Sequence, residues 1–137
     1  MEKGKGVNVT GKWTNELGSV MTLKENKKHQ ISGTYKNEAE FKLSNKKESD
    51  GPGEIADLVG YTNTHLNKDK ILTTTITFCM AWKDEGSCSA FSGQIFQDDK
   101  GADVMKTTWL LHSPVESQTH NWEATRVGEN TFHRIKE

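Results

Sequence analysis

The chain has 137 residues, a formal net charge of -1 and 27% charged residues, so nothing in its charge balance suits a polyanionic partner. Only 32% of residues are hydrophobic and mean hydropathy is -0.78, yet 4 Trp and 5 Phe supply concentrated apolar surface, which argues against disorder. No apolar run approaches the ~18–20 residues that a membrane-spanning helix needs, and Met1-Glu2-Lys3-Gly4-Lys5-Gly6 lacks the apolar core of a secretory signal.

Strand signals dominate the chain. Pro is nearly absent (Pro52, Pro114), Gly is plentiful, and Thr, Val and Ile fill the most regular segments, while clean i, i+3, i+4 apolar spacing is missing. An N-terminal arm at 1–10 is expected to be flexible. Strands are then predicted at 11–17, 19–24, 29–36, 57–63, 71–83, 87–97, 104–113 and 123–134. Asp84-Glu85-Gly86 and Asp98-Asp99-Lys100-Gly101 read as tight connections. Residues 38–55 are rich in Lys, Glu, Ser and Gly with no period, and are expected to form a long lid-like loop, with a short strand possible near Phe41–Leu43.

About eight strands with short connections predict a single all-β domain over 1–137, an antiparallel up-and-down barrel whose closure removes both edges. A barrel of eight strands is just wide enough to enclose one small ligand. Alternation sorts the faces. Phe78, Met80 and Trp82 share one face; Ser87, Ser89 and Phe91 share another; Trp109 goes with Leu111; Tyr35 goes with Ile31 and Gly33. If these faces line one interior, the hydroxyls of Tyr35, Ser87 and Ser89 need partners, since each unmet one costs roughly 1–3 kcal/mol. A ligand with a small polar head would satisfy them, as would bonds among themselves or to water.

Cys79 and Cys88 fall on the outward faces of adjacent strands. Direct pairing would permit a disulfide, whereas a register that pairs Trp82 with Ser87 would leave them two residues out of step. The five His show no HxH or HExxH spacing, so metal binding is not expected, and His112 is expected at the surface or a subunit contact. Asn8-Val9-Thr10 is an N-glycosylation sequon. No GxSxG elbow, P-loop or paired-carboxylate signature supports an enzyme.

The motifs also carry a resemblance. Gly11-Lys12-Trp13-Thr14-Asn15-Glu16-Leu17-Gly18-Ser19 resembles the GxWxNxxGS opening of the avidin and streptavidin family, and Gly33-Thr34-Tyr35 resembles its GTY. Phe91-Ser92-Gly93-Gln94 is similar to its FTGQ, Lys106 to Leu111 to its KTxWLL, and Trp122 to Phe132 to its WxATxxGxNxF ending. The resemblance covers nearly the whole chain, in order. It implies an eight-stranded barrel that binds biotin, a secreted homotetramer with no cofactor beyond the bound ligand, and a role in biotin sequestration for defence or storage. It further implies that Asn15, Ser19 and Tyr35 donate to the ureido oxygen and that Asn130 accepts from a ureido N–H. Ser89 would face the thioether sulfur and Ser87 the carboxylate. Trp82, Phe91, Trp109 and Leu111 would wall the pocket, and Trp122 would cap the site of a neighbouring subunit.

Departures from the family pattern cluster at the mouth. Asn37 stands where the family has a small hydroxyl residue, and its amide oxygen is expected to accept in that residue's place. Glu38, Glu40, Asp84 and Glu85 put acid near the expected position of a carboxylate tail, which predicts tight binding short of the family extreme.

Overall fold

The computed structural model describes residues 6–37 and 54–136. Eight antiparallel strands follow one another around a closed barrel, and the last pairs with the first. They are β1 (Gly11–Asn15), β2 (Val20–Glu25), β3 (Gln30–Lys36), β4 (Ile55–Leu66), β5 (Leu72–Trp82), β6 (Ser87–Gln97), β7 (Asp103–His112) and β8 (Thr125–Arg134). A short 3₁₀ turn, Gln118–Glu123, precedes β8 and contains Trp122, where the sequence predicted strand from residue 123.

β4 is longer than the seven residues expected, at 12. Alternation hid it: Ile55, Val59 and Tyr61 point outward and are exposed, so apolar residues occupy both faces and the period of two is blurred. Of the predicted lid-like loop, residues 38–53 and the possible strand near Phe41–Leu43 lie outside the described residues, and Ile55 already belongs to β4.

Four of the hairpin turns follow one local rule. Asn15, Asn26, Asn67 and Asp98 each begin a five-residue turn whose fourth residue has positive φ: Gly18 (89°), His29 (64°), Lys70 (66°) and Gly101 (82°). In each, the opening side-chain oxygen accepts from the N–H groups two and four residues on. In each, the backbone closes with the same pair of bonds, as in Gly18 N–H to Asn15 O and Asn15 N–H to Ser19 O. This is a type I turn followed by a left-handed residue, built on an Asx side chain.

The inside of the barrel is aromatic. Phe78 and Phe91 stack at 4.6 Å, and Tyr35 meets Trp82 edge-on at 5.7 Å and Phe132 at 6.2 Å. Trp13 is fully buried toward the end of the barrel that carries the Asn26, Asn67 and Asp98 turns. Burying such a ring contributes roughly 4–6 kcal/mol as an upper figure. Its Nε1 donates to Val9 O at 3.0 Å, and the Arg134 guanidinium lies 4.5 Å from its ring centre.

The described part of the N-terminal arm is therefore not free, contrary to expectation. Val9 is fully buried, its N–H donates to Glu25 Oε1, and Arg134 donates to the carbonyls of Asn8 and Thr10. The β5–β6 register pairs Trp82 with Ser87, Cys79 with Ala90 and Ala81 with Cys88. The cysteines are out of step by two residues, exposed and unbridged.

Candidate functional site

The opposite end of the barrel carries the Asn15–Ser19 turn, the β5–β6 turn at Lys83–Gly86 and the β7–β8 connection. The polar residues singled out in the sequence meet just inside this end. Asn15, Ser19, Tyr35, Ser87, Ser89 and Asn130 are all buried.

Two buried amides are held in opposite senses. Asn15 Oδ1 is consumed by the turn, accepting from Leu17 N–H and Ser19 N–H at 3.0 Å each. Its Nδ2 therefore faces inward and donates to the Tyr35 hydroxyl oxygen at 3.2 Å. Asn130 is fixed the other way. Its Nδ2 donates to Glu16 Oε2 at 2.9 Å, which leaves Oδ1 as the group it presents to the interior. Glu16 Oε1 also accepts from Thr131 N–H at 2.9 Å. Partial burial pushes the Glu16 carboxyl up, but the bonds from Thr131 and Asn130 outweigh it, and the group ionises below its ordinary range.

Ser19 donates to Asn37 Oδ1 at 3.2 Å, so these two predicted ligand groups meet each other. Trp82 Nε1 donates to Ser89 Oγ at 2.9 Å, which leaves that hydroxyl's own proton to be placed elsewhere. Ser87 Oγ and Trp109 Nε1 are buried with no hydrogen-bond partner among the described residues. Such orphans cost roughly 1–3 kcal/mol each when nothing meets them.

Of the four apolar residues expected to wall a pocket, Trp82 and Phe91 belong to the buried core, and Trp109 and Leu111 are half-buried against it. Gly128 faces Trp109 across the β7–β8 ladder, and a Cβ there would lie 2.3 Å from the indole Cζ2. The glycine makes room for the ring. Trp122 stands apart: it is 80% exposed, on the 3₁₀ turn that precedes β8.

A family model described as the Avidin family matches residues 3–135. The chain belongs to the Avidin family. Chicken (Gallus gallus) avidin is 40% identical over 129 residues, covering 93% of this chain and 78% of avidin. Gallus gallus avidin-related protein 4/5 is 37% identical over 130 residues, covering 93% and 77%. Among solved structures, the crystal structure of Xenavidin superposes with a TM-score of 0.74 at 31% identity, covering 96% of this chain and all of that one. The X-ray structure of a biotin binding protein from chicken gives 0.75 at 30% identity, covering 93% and 96%.

Within the Avidin family frame, Glu16 and Gly128 are the residues that the sequence reading passed over. Both sat inside quoted motifs. The signal for Glu16 was its place beside Asn15, where an acceptor reaches Asn130 and Thr131 on β8; the signal for Gly128 was a glycine opposite a Trp. At the mouth, Asn37 N–H donates to Glu54 O at 3.3 Å, and Asp84 N–H donates to Glu54 Oε2 at 3.2 Å. The chain on either side of residues 38–53 is thus tied together beside the β5–β6 turn. Among the described residues, no group of three or more His, Cys, Asp or Glu could hold a metal ion.

Proposed function

We propose that this chain binds biotin non-covalently inside its barrel, as ligand rather than cofactor, with no catalytic step. The observation that carries this reading is the opposed fixing of two buried amides: Asn15 as a donor by its turn, Asn130 as an acceptor by Glu16. A ureido group has the complementary pattern, one carbonyl oxygen between two N–H groups. Asn15, Ser19 and Tyr35 would donate to the oxygen, while Asn130 and Asn37 would accept from the two N–H groups. Ser19 gives up its bond to Asn37 when the ligand enters, which frees a donor and an acceptor together.

The remaining atoms of biotin match what is left. Ser89 would meet the thioether, and the unpartnered Ser87 hydroxyl would donate to the carboxylate end. Trp82, Phe91, Trp109 and Leu111 would enclose the rings and chain. Family membership and the likeness to the biotin binding protein from chicken support the same ligand. Little of the site needs ordering at binding, and that favours tight association.

Assembly as a homotetramer is part of the proposal. Trp122 is too exposed to serve its own pocket and would close a neighbour's. An outward row in register across five strands, Val59, Cys79, Ala90, Leu110 and Val127, offers apolar surface for a second copy. Beside it lies a concavity of about 530 Å³ lined by Thr75, Ser92, Gln94, Lys106, Thr108 and Glu129. We further propose export from the cell and a role in sequestering biotin, on the strength of family membership.

The deciding experiment is a titration with biotin followed by Trp fluorescence, since Trp82 and Trp109 would touch the ligand. A sharp break at one biotin per chain is expected. A flat titration together with no uptake of labelled biotin would overturn the reading. Light scattering with and without biotin tests the assembly, and a monomer in both states would remove the role given to Trp122.

A further inference from the structure

We propose that Asn8 is an N-glycan acceptor, a modification site at the end of the barrel remote from the ligand mouth; the proposal rests on the export reading above. Asn8-Val9-Thr10 is the only Asn-X-Ser/Thr triplet in the chain, and its middle residue is not proline. The fold divides the triplet by side. Val9 is fully buried beneath Trp13, while Asn8 and Thr10 are exposed on either side of it. Asn8 Oδ1 accepts from Thr10 N–H at 2.9 Å, an Asx turn that leaves the amide nitrogen as the outer atom of the side chain. That nitrogen donates to none of the described residues. A sugar attached there would break no bond of the folded barrel.

Chain order also favours modification. Asn8 is clamped in the finished fold through its carbonyl by Arg134, which is 126 residues later in the chain. β1 likewise needs β8 for one of its two ladders. A chain entering an export compartment from its N-terminus would therefore expose the triplet unclamped until synthesis is almost complete. The reaction joins Asn8 Nδ2 to the anomeric carbon of an oligosaccharide carried on a polyprenyl pyrophosphate. The amide nitrogen loses one proton and the lipid pyrophosphate leaves. The glycan would stand by the Asn26, Asn67 and Asp98 turns, at the end of the barrel away from Ser87, Asp84 and Trp122. It would leave ligand entry untouched.

The test is translation of the full chain behind a cleavable signal peptide with endoplasmic-reticulum microsomes, scoring the protease-protected product on a gel. One endoglycosidase-sensitive increment is expected for the parent chain, and none for Asn8→Gln or Thr10→Ala, both exposed substitutions. Thr10→Ser, which keeps the hydroxyl, should retain the increment. A protected but unshifted parent chain would overturn the proposal, and so would a shift that survives Asn8→Gln. The glycosylated and enzymatically trimmed proteins should release biotin at the same rate, whereas a several-fold difference would overturn the placement of the glycan away from the mouth. Loss of biotin binding in both forms, or retention of the protein inside its own cells, would count against the proposed function instead.

Discussion

Replacing Asn15 by Asp separates what this residue does for the fold from what it does for the ligand. Its side-chain oxygen closes the β1–β2 turn by accepting from Leu17 and Ser19, and its nitrogen points inward to Tyr35. Asp98 performs the same turn-closing task with a carboxylate, accepting from Lys100 and Ala102 at 2.8 and 3.0 Å. Asn15→Asp therefore keeps both turn bonds, each worth about 1 kcal/mol, and exchanges only the inward donor for an acceptor. The Tyr35 hydroxyl can turn to donate to it, which offsets part of the desolvation cost of the new charge. Asn15→Ala loses the turn bonds as well. Thermal unfolding should thus rank parent, Asp, Ala, with the two variants separated by less than the about 2 kcal/mol of the two turn bonds, because the rest of the desolvation cost falls on the Asp variant. Biotin affinity should rank differently. An acceptor facing the ureido oxygen leaves two acceptors opposed in a dry site, at a cost of about 3 kcal/mol or more, which is a loss of more than about 100-fold. Calorimetric unfolding and biotin off-rates measured on the same three proteins check this. If Asn15→Asp binds within threefold of the parent, the inward amide is not a ligand donor and the assignment fails.

Glu16→Ala should speed biotin release about tenfold by freeing the Asn130 amide to rotate, and should have no further effect in an Asn130→Ala background; equal effects in both backgrounds would refute the orienting role. Because Glu16 ionises below its ordinary value in the folded protein, its contribution is complete above the unfolded pKa of about 4.3 and is lost as pH falls through the folded value, so release should be independent of pH above about 4.3 and accelerate below it. Trp122→Lys should weaken both biotin retention and assembly, read by off-rate and light scattering, whereas survival of both would show that Trp122 does not act on a neighbour. Gly128→Val should displace the Trp109 indole and shift its fluorescence while costing at least tenfold in affinity, since even the first added carbon lands 2.3 Å from the ring. Lys70→Gly should raise unfolding stability by roughly 0.5–1 kcal/mol, because Lys70 holds φ of 66° in a turn whose counterparts at Gly18 and Gly101 are glycine.

The barrel was legible because its strands alternate. Trp82, Ser87, Ser89 and Phe91 could be placed on one interior from period alone, and all four lie there. β4 was truncated for the opposite reason, since outward Ile55, Val59 and Tyr61 serve a face of the barrel that a lone chain leaves exposed. The disulfide question could not be answered from composition, because a shift of two residues in register decides it and register is set by turns. The N-terminal arm was misjudged because its anchor, Arg134, comes from the far end of the chain. Glu16 was passed over for a similar reason: an acidic residue in a turn reads as solvent-facing until β8 is laid beside it. Motif resemblance located Asn130, yet only the partner across the barrel fixes which end of its amide faces inward.

The shared turn gives the site its economy. Four hairpins use one Asx geometry, and the turn itself asks only for a side-chain oxygen, so Asn26, Asn67 and Asp98 all close it. At Asn26 the nitrogen is spent on the surface, donating to Gln30 Oε1 at 2.9 Å, whereas at Asn15 it points into the barrel and donates to Tyr35. An Asp at residue 15 would satisfy the fold and fail the ligand. The same asymmetry appears at Asn130, where Glu16 takes a donor on one side and the proposed ligand calls for an acceptor on the other, a demand that an amide meets and an ionised carboxylate cannot. Both amides are therefore oriented by bonds that exist before any ligand arrives, one by backbone and one by a carboxylate. The donor and acceptor pattern of the pocket follows from the folding of the turn and the closure of β8 on β1.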